Sequence, residues 1–126
     1  MKFKIQLLLV SILLTSCIAT QKYSNTSKVN WSKTPDLTKI TYTGGDGKTL
    51  ENCIVIKNAE NEINGVASEY AFISKQHGQK FLDWTPIQQS CNSKDKKTFD
   101  ILVIQTLPGN EKITYYFDIT DFYGKF

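Results

Sequence analysis

Apolar and polar positions along the chain change their period several times, and each change marks an element. Residues 5–14 form an almost unbroken apolar run, interrupted only by Gln6 and Ser11. Residues 18–36 show no period at all. Lys39-Ile40-Thr41-Tyr42-Thr43 has strand composition and meets a turn, Gly44-Gly45-Asp46-Gly47, where glycine supplies positive φ at little cost. Residues 52–57 read as a strand apolar on both faces, with Cys53 and Val55 on one and Ile54 and Ile56 on the other. The period then becomes helical over residues 64–77. Ile63, Val66, Ala67, Tyr70, Ile73 and His77 share one side. Asn64 is the expected cap before Gly65, and Gly78 the expected stop. Three segments of period two close the chain, at residues 84–91, 98–105 and 111–119. In the last, Ile113, Tyr115, Phe117 and Ile119 point inward while Thr114, Tyr116 and Asp118 point outward. Leu107-Pro108-Gly109-Asn110 fits a type II turn. Strand, strand, helix and a three-strand meander predict an α+β fold. One helix packs on one face of an antiparallel sheet of about four to five strands.

The N-terminal run changes the picture from fold to address. Lys2 and Lys4 precede it and Leu14-Thr15-Ser16-Cys17 follows it. A basic start, a short apolar core and small residues before a cut site describe an export signal. The run is too short for a transmembrane helix, which needs roughly 20 residues. Its last four residues resemble the bacterial lipobox. That resemblance implies cleavage before Cys17 and attachment of a diacylglycerol to its sulfur. Two acyl chains hold a protein to a membrane stably where one does not. The alternatives are an ordinary secretory signal with an incidental Cys17 thiol, or an uncleaved anchor. The expected organisation is a signal peptide at 1–16, a lipidated N-terminus and flexible tether at 17–36, and a small α+β domain at 37–126. Ile18 and Ala19 carry no acidic retention signal. The expected location is therefore the cell envelope, on the periplasmic side of the outer membrane where the cell has one.

Charge excludes more than it suggests. All fifteen basic residues are lysine, and Lys2 and Lys4 belong to the signal. Thirteen lysines against twelve acidic residues then leave a single net positive charge. A balance this even gives no footing for nucleic acid, and no arginine supplies the bidentate fork suited to phosphate. With Cys17 lipidated, Cys53 and Cys91 remain as an even pair in an exported chain, which predicts a disulfide. Closing a loop of ~38 residues would stabilise the domain by about 4 kcal/mol in the chain-entropy picture. The alternative is two buried thiols acting as small apolar residues. Two cysteines and one distant histidine do not make a metal ligand set, and no cofactor is implied.

Motifs for catalysis are weak. Gly47-Lys48-Thr49 resembles the tail of a phosphate loop, but Tyr42 stands where the first glycine belongs, so a hairpin turn is the expected role. His77 with Cys53 or Cys91 would be a formal nucleophile and base, yet a histidine at a helix end is more often structural. Asp118 with Asp121 is one of several carboxylate pairs without a defined pocket. Aromatic content is high for so small a domain, and Tyr116 must point away from Tyr115 and Phe117. Trp84 and Tyr116 are therefore the candidate partner-binding residues on the open sheet face, unless the tether, the first strand or the C-terminal turn covers them.

Residues 44–125 resemble a group of small uncharacterised bacterial proteins. Gly45-Asp46-Gly47, Glu51-Asn52, Gly65-Val66-Ala67-Ser68-Glu69-Tyr70, Tyr115-Tyr116-Phe117-Asp118-Ile119 and Phe122-Tyr123-Gly124-Lys125 carry the likeness. It implies no activity and no catalytic residue. In that group the positions of Cys53 and Cys91 are usually small or aliphatic, which makes a disulfide an addition here. The expected function is a membrane-anchored, non-enzymatic lipoprotein that binds a protein of the envelope. An inhibitor or immunity-type lipoprotein acting on a periplasmic hydrolase or toxin is the first alternative, and an envelope hydrolase the second.

Overall fold

The computed structural model describes residues 34–126. Cys17, the signal and most of the tether lie outside the described residues. The chain forms β1 (Thr41–Gly44), β2 (Ile54–Lys57), α1 (Glu62–His77), β3 (Trp84–Lys94), β4 (Lys97–Thr106) and β5 (Lys112–Asp118). The strands make one five-stranded sheet in the order β1-β2-β5-β4-β3. This is the α+β arrangement that the periodicity predicts, with one difference. The sheet is mixed: β2 and β5 run parallel, with Ile54 opposite Phe117 and Val55 opposite Asp118. The remaining pairs are antiparallel. The cause is the helix. A crossover long enough to carry α1 joins parallel strands, so β3 starts in the direction of β2, and the β3–β4–β5 meander brings β5 back in that direction.

The β3–β4 hairpin turns on Asp95 and Lys96, both at positive φ (53° and 62°). A two-residue loop of that kind matches the twist of its strands, so both strands run further than their apolar positions suggest. At the next connection the positive φ falls on Asn110 rather than Gly109, and Leu107–Pro108 is cis. The expected type II turn, which needs positive φ at Gly109, is not formed.

The core lies between α1 and one sheet face. Ile54, Ile56, Leu102, Ile104, Tyr115 and Phe117 supply the sheet side, with Ile73 from the helix and Phe122 from the C-terminal turn. The helix begins two residues earlier than expected, at Glu62. Asn61 is its cap, accepting from the Asn64 N–H at 3.0 Å. Gly78 ends it at φ 100°, its N–H bonded to the Ser74 carbonyl. Its buried side is also not the expected one. Gly65, Ser68, Glu69 and Ile73 are buried, while Ile63, Val66, Ala67 and Tyr70 are only partly so.

Candidate functional site

The displaced helix face is what builds a site. Gly65 has no side chain, and a Cβ there would lie 2.2 Å from the Phe122 ring. The Ser68 hydroxyl turns back to the Gly65 carbonyl at 2.6 Å. These two small positions let α1 sit close to the sheet and the C-terminal turn. One turn along, the same face delivers Glu69, which is 0% exposed. Across from it β4 delivers Asp100, in phase with Leu102 and Ile104 and 5% exposed. The two carboxyls lie close enough to act on each other's ionisation.

This pair is poorly supplied with donors. Gln89 Nε2 donates to Asp100 Oδ2. Both oxygens of Glu69, and Oδ1 of Asp100, are buried with no donor among the protein groups. An orphaned buried acceptor costs about 1–3 kcal/mol, more when charged. A shared proton relieves part of that cost. Burial raises the Glu69 carboxyl well above its ordinary value, and the neighbouring Asp100 raises it further. Burial also raises Asp100, against hydrogen bonds from Gln89 and Glu69 that favour its charged form. Burial and the neighbouring carboxyl thus favour the neutral form more strongly at Glu69 than at Asp100.

The pair lines a cleft of about 370 Å³ between α1, the outer part of β3 and the C-terminal turn. Val66, Ile119 and Phe122 make apolar walls, while Gln89, Ser90 and Cys91 line the β3 side. Glu62 and Tyr123 complete it near the helix start. The turn is fixed there: Glu62 Oε1 accepts from Gly124 N at 2.6 Å, and Glu62 N donates to Lys125 O at 2.8 Å. No lysine lines the cleft. Among the described residues no cluster of three or more His, Cys, Asp or Glu is placed to hold a metal, and no helix is long and apolar enough to cross a membrane.

The residues singled out in the sequence fall elsewhere or take other roles. Trp84 is not an exposed anchor. It is 0% exposed, donates from Nε1 to the Gly78 carbonyl at 3.0 Å and packs against Tyr70. Tyr116 does lie on the opposite sheet face, half-buried, across from Ile101 on β4. The predicted Cys53–Cys91 disulfide is not formed. Ile54, Phe117, Asp100 and Cys91 follow one another across β2, β5, β4 and β3. Cys53 and Cys91 are therefore three strand spacings apart, roughly 14 Å, where a bridge needs Cα atoms within about 7 Å. Burial raises the Cys53 thiol, and Asp118 adds to the rise. His77 shares a 2.7 Å hydrogen bond with the Tyr115 hydroxyl and meets neither cysteine. Burial and the nearby Lys48 lower its pKa. Gly47-Lys48-Thr49 is a tied turn, with Asp46 accepting from Lys48 N and Asn52 Nδ2. Asp118 and Asp121 are held separately, by Lys97 at 3.3 Å and Lys57 at 3.9 Å.

Glu69 and Asp100 escaped sequence reasoning. The available signal was Asp100 itself, an acid at an inward position of a strand otherwise filled by Leu102 and Ile104. Comparison with protein-family models, curated proteins and solved structures returns no match. The likeness of residues 44–125 to small bacterial proteins rests on the quoted residues alone.

Proposed function

We propose that this chain is a lipid-anchored envelope lipoprotein, held through Cys17, whose domain is a non-enzymatic binding module, and that its binding site is the cleft over Glu69 and Asp100. One observation carries the placement: three buried carboxyl oxygens, on two residues that line the cleft, have no protein donor. Buried polar groups are ordinarily satisfied, and a ligand that brings donors to this position removes the deficit. The partner is a protein of the envelope. An inhibitor or immunity-type role uses the same surface, with a hydrolase or toxin as that partner.

The hydrolase reading draws on the same pair, since two carboxyls sharing one proton are the arrangement of the aspartic-protease dyad. One feature weighs against it: no lining residue of the cleft offers a cation to stabilise a developing oxyanion.

The test is crosslinking of the tagged, lipidated chain in its own envelope, beside Glu69→Leu and Asp100→Leu variants that retain a native spectrum. A partner recovered near stoichiometry with the parent chain and lost with both variants supports the proposal. Equal recovery by all three moves the contact off the cleft, and hydrolysis of a peptide or glycan substrate by the purified chain overturns the non-enzymatic reading. The partner's own activity with and without this chain separates inhibitor from scaffold.

A further inference from the structure

We propose that the cleft takes a primary alkylammonium group, a positive nitrogen on a short apolar stem such as the end of a lysine side chain. The inference rests on the binding-module reading and names the chemistry of its ligand.

The cleft is a site of acceptors. Glu69 Oε1, Glu69 Oε2 and Asp100 Oδ1 lack protein donors, while Gln89 donates to Asp100 Oδ2. A single proton shared between the two carboxyls leaves acceptor capacity over. An ammonium group carries three donors and no acceptor. A hydroxyl would bring lone pairs of its own to a place already crowded with them. Charge points the same way. Three lining residues are acidic and none is basic, and the ion pairs Lys39–Glu60, Lys57–Asp121 and Lys97–Asp118 are made elsewhere. The walls suit the stem. Val66, Ile119 and Phe122 offer apolar surface along which methylene groups lie while the charged end goes to the carboxyls. Gln89 is exposed, so the pair is approached from the β3 side.

Binding then exchanges one cation for another. The ammonium favours ionised carboxyls, so its arrival releases the shared proton and affinity rises with pH. No base is among the residues that line the cleft. Asp100 faces Glu69 from β4, Gln89 and Cys91 from β3, Tyr42 from β1, and Glu62 and Tyr70 from its own helix, with Tyr123 at the C-terminal turn. An alkylamine itself stays protonated until about pH 10.

The experiment follows amide and side-chain NMR signals of the full chain in detergent while acetyl-lysine amide is added. Acetyl-norleucine amide, the same stem without the nitrogen, is the control. The expected result is saturable movement of the Gln89 side-chain amide and the Glu69 and Asp100 backbone signals, at least tenfold weaker with norleucine. Affinity should tighten severalfold from about pH 5 to about pH 8. Glu69→Gln and Asp100→Asn should each lose tenfold or more, and Glu51→Gln none. 1,5-Diaminopentane separates the sources: tighter binding than the lysine amide assigns a free diamine, weaker binding a lysine side chain. Equal binding of the norleucine amide, or no cleft shifts at tens of millimolar lysine amide, overturns the inference. If envelope crosslinking still depends on Glu69 and Asp100, only the ligand class has failed. If that dependence is absent too, the cleft is not the site. The lysine and norleucine comparison uses the parent chain, so a variant that misfolds does not void it.

Discussion

Glu69 is the residue at which stability and the proposed site conflict. Its pKa and that of Asp100 are both raised in the folded chain, first by burial. A carboxyl raised in the fold binds its proton more tightly there than in the unfolded chain. Its contribution is full below the unfolded values, 4.5 for Glu and 3.8 for Asp, and is lost as pH rises through the folded values. Asp118 acts in the opposite sense. Burial pushes it up, but hydrogen bonds from Thr120 and Lys97 outweigh that and hold it low. Its contribution is present above 3.8 and lost as pH falls through its folded value. The domain should therefore be most stable in mildly acid solution, losing up to ~1.4 kcal/mol per pH unit while one proton is released. Glu69→Gln keeps the shape and a permanent donor for Asp100, so it should flatten the decline and equal or exceed the parent's stability near pH 8. Urea unfolding at several pH values measures both. A parent chain whose stability climbs steadily from about pH 5 to about pH 8 would falsify the assignment of a raised, buried pair. Hydrophobic patterning could not expose Glu69, because it counts glutamate as a solvent-facing residue. Asp100 was visible as an exception to its strand's alternation, but its partner was not.

At the scale of the element, the helix was legible in extent and its stop was legible in Gly78, but its orientation was not. Ile63, Val66, Ala67 and Tyr70 outweigh Gly65, Ser68 and Glu69 on any hydrophobicity count, yet the second set is buried. Close approach decides it: a face of small residues brings the helix backbone nearer the sheet and lets Phe122 pack directly on Gly65. The larger side chains then line the flanks, Val66 as a wall of the cleft. Trp84 misled for a related reason. Its strand carries Pro86 and polar residues that suggest an edge, and β3 is the edge strand, but its first residue still points under α1. Alanine at an ordinary helix position stabilises by up to ~1 kcal/mol relative to glycine. Gly65→Ala should do the reverse, losing about 1–3 kcal/mol, because the new methyl overlaps a buried ring. A chemical denaturation midpoint lower than the parent's is the expected reading. Phe122→Leu should recover part of that loss in the double variant, since the two residues touch and their effects are coupled.

For the whole molecule, strand count and fold class follow from periodicity, but the order of strands does not. The crossover made by α1 sends β3 to the far edge and returns β5 to the centre, and no local pattern records that. The disulfide expectation failed on this point alone, since Cys53, just before β2, and Cys91 on β3 are separated by β5 and β4. A bridge would have contributed about 4 kcal/mol, so reducing agent should leave the unfolding midpoint unchanged, and alkylation of the denatured, unreduced chain should label both thiols. The proposed anchor is a separate matter, since Cys17 lies outside the described residues. Serine in place of Cys17 cannot form the thioether that carries a diacylglycerol. Cys17→Ser should therefore shift the chain from the membrane to the soluble fraction and remove the lipid mass from its N-terminal fragment. The fold should not respond, because the core is built from residues 40–122, and the released domain should melt as the parent does. A Cys17→Ser chain that stays with the membrane would show that another part of the molecule holds it there. The cleft would then have to be tested for a membrane component before a protein partner.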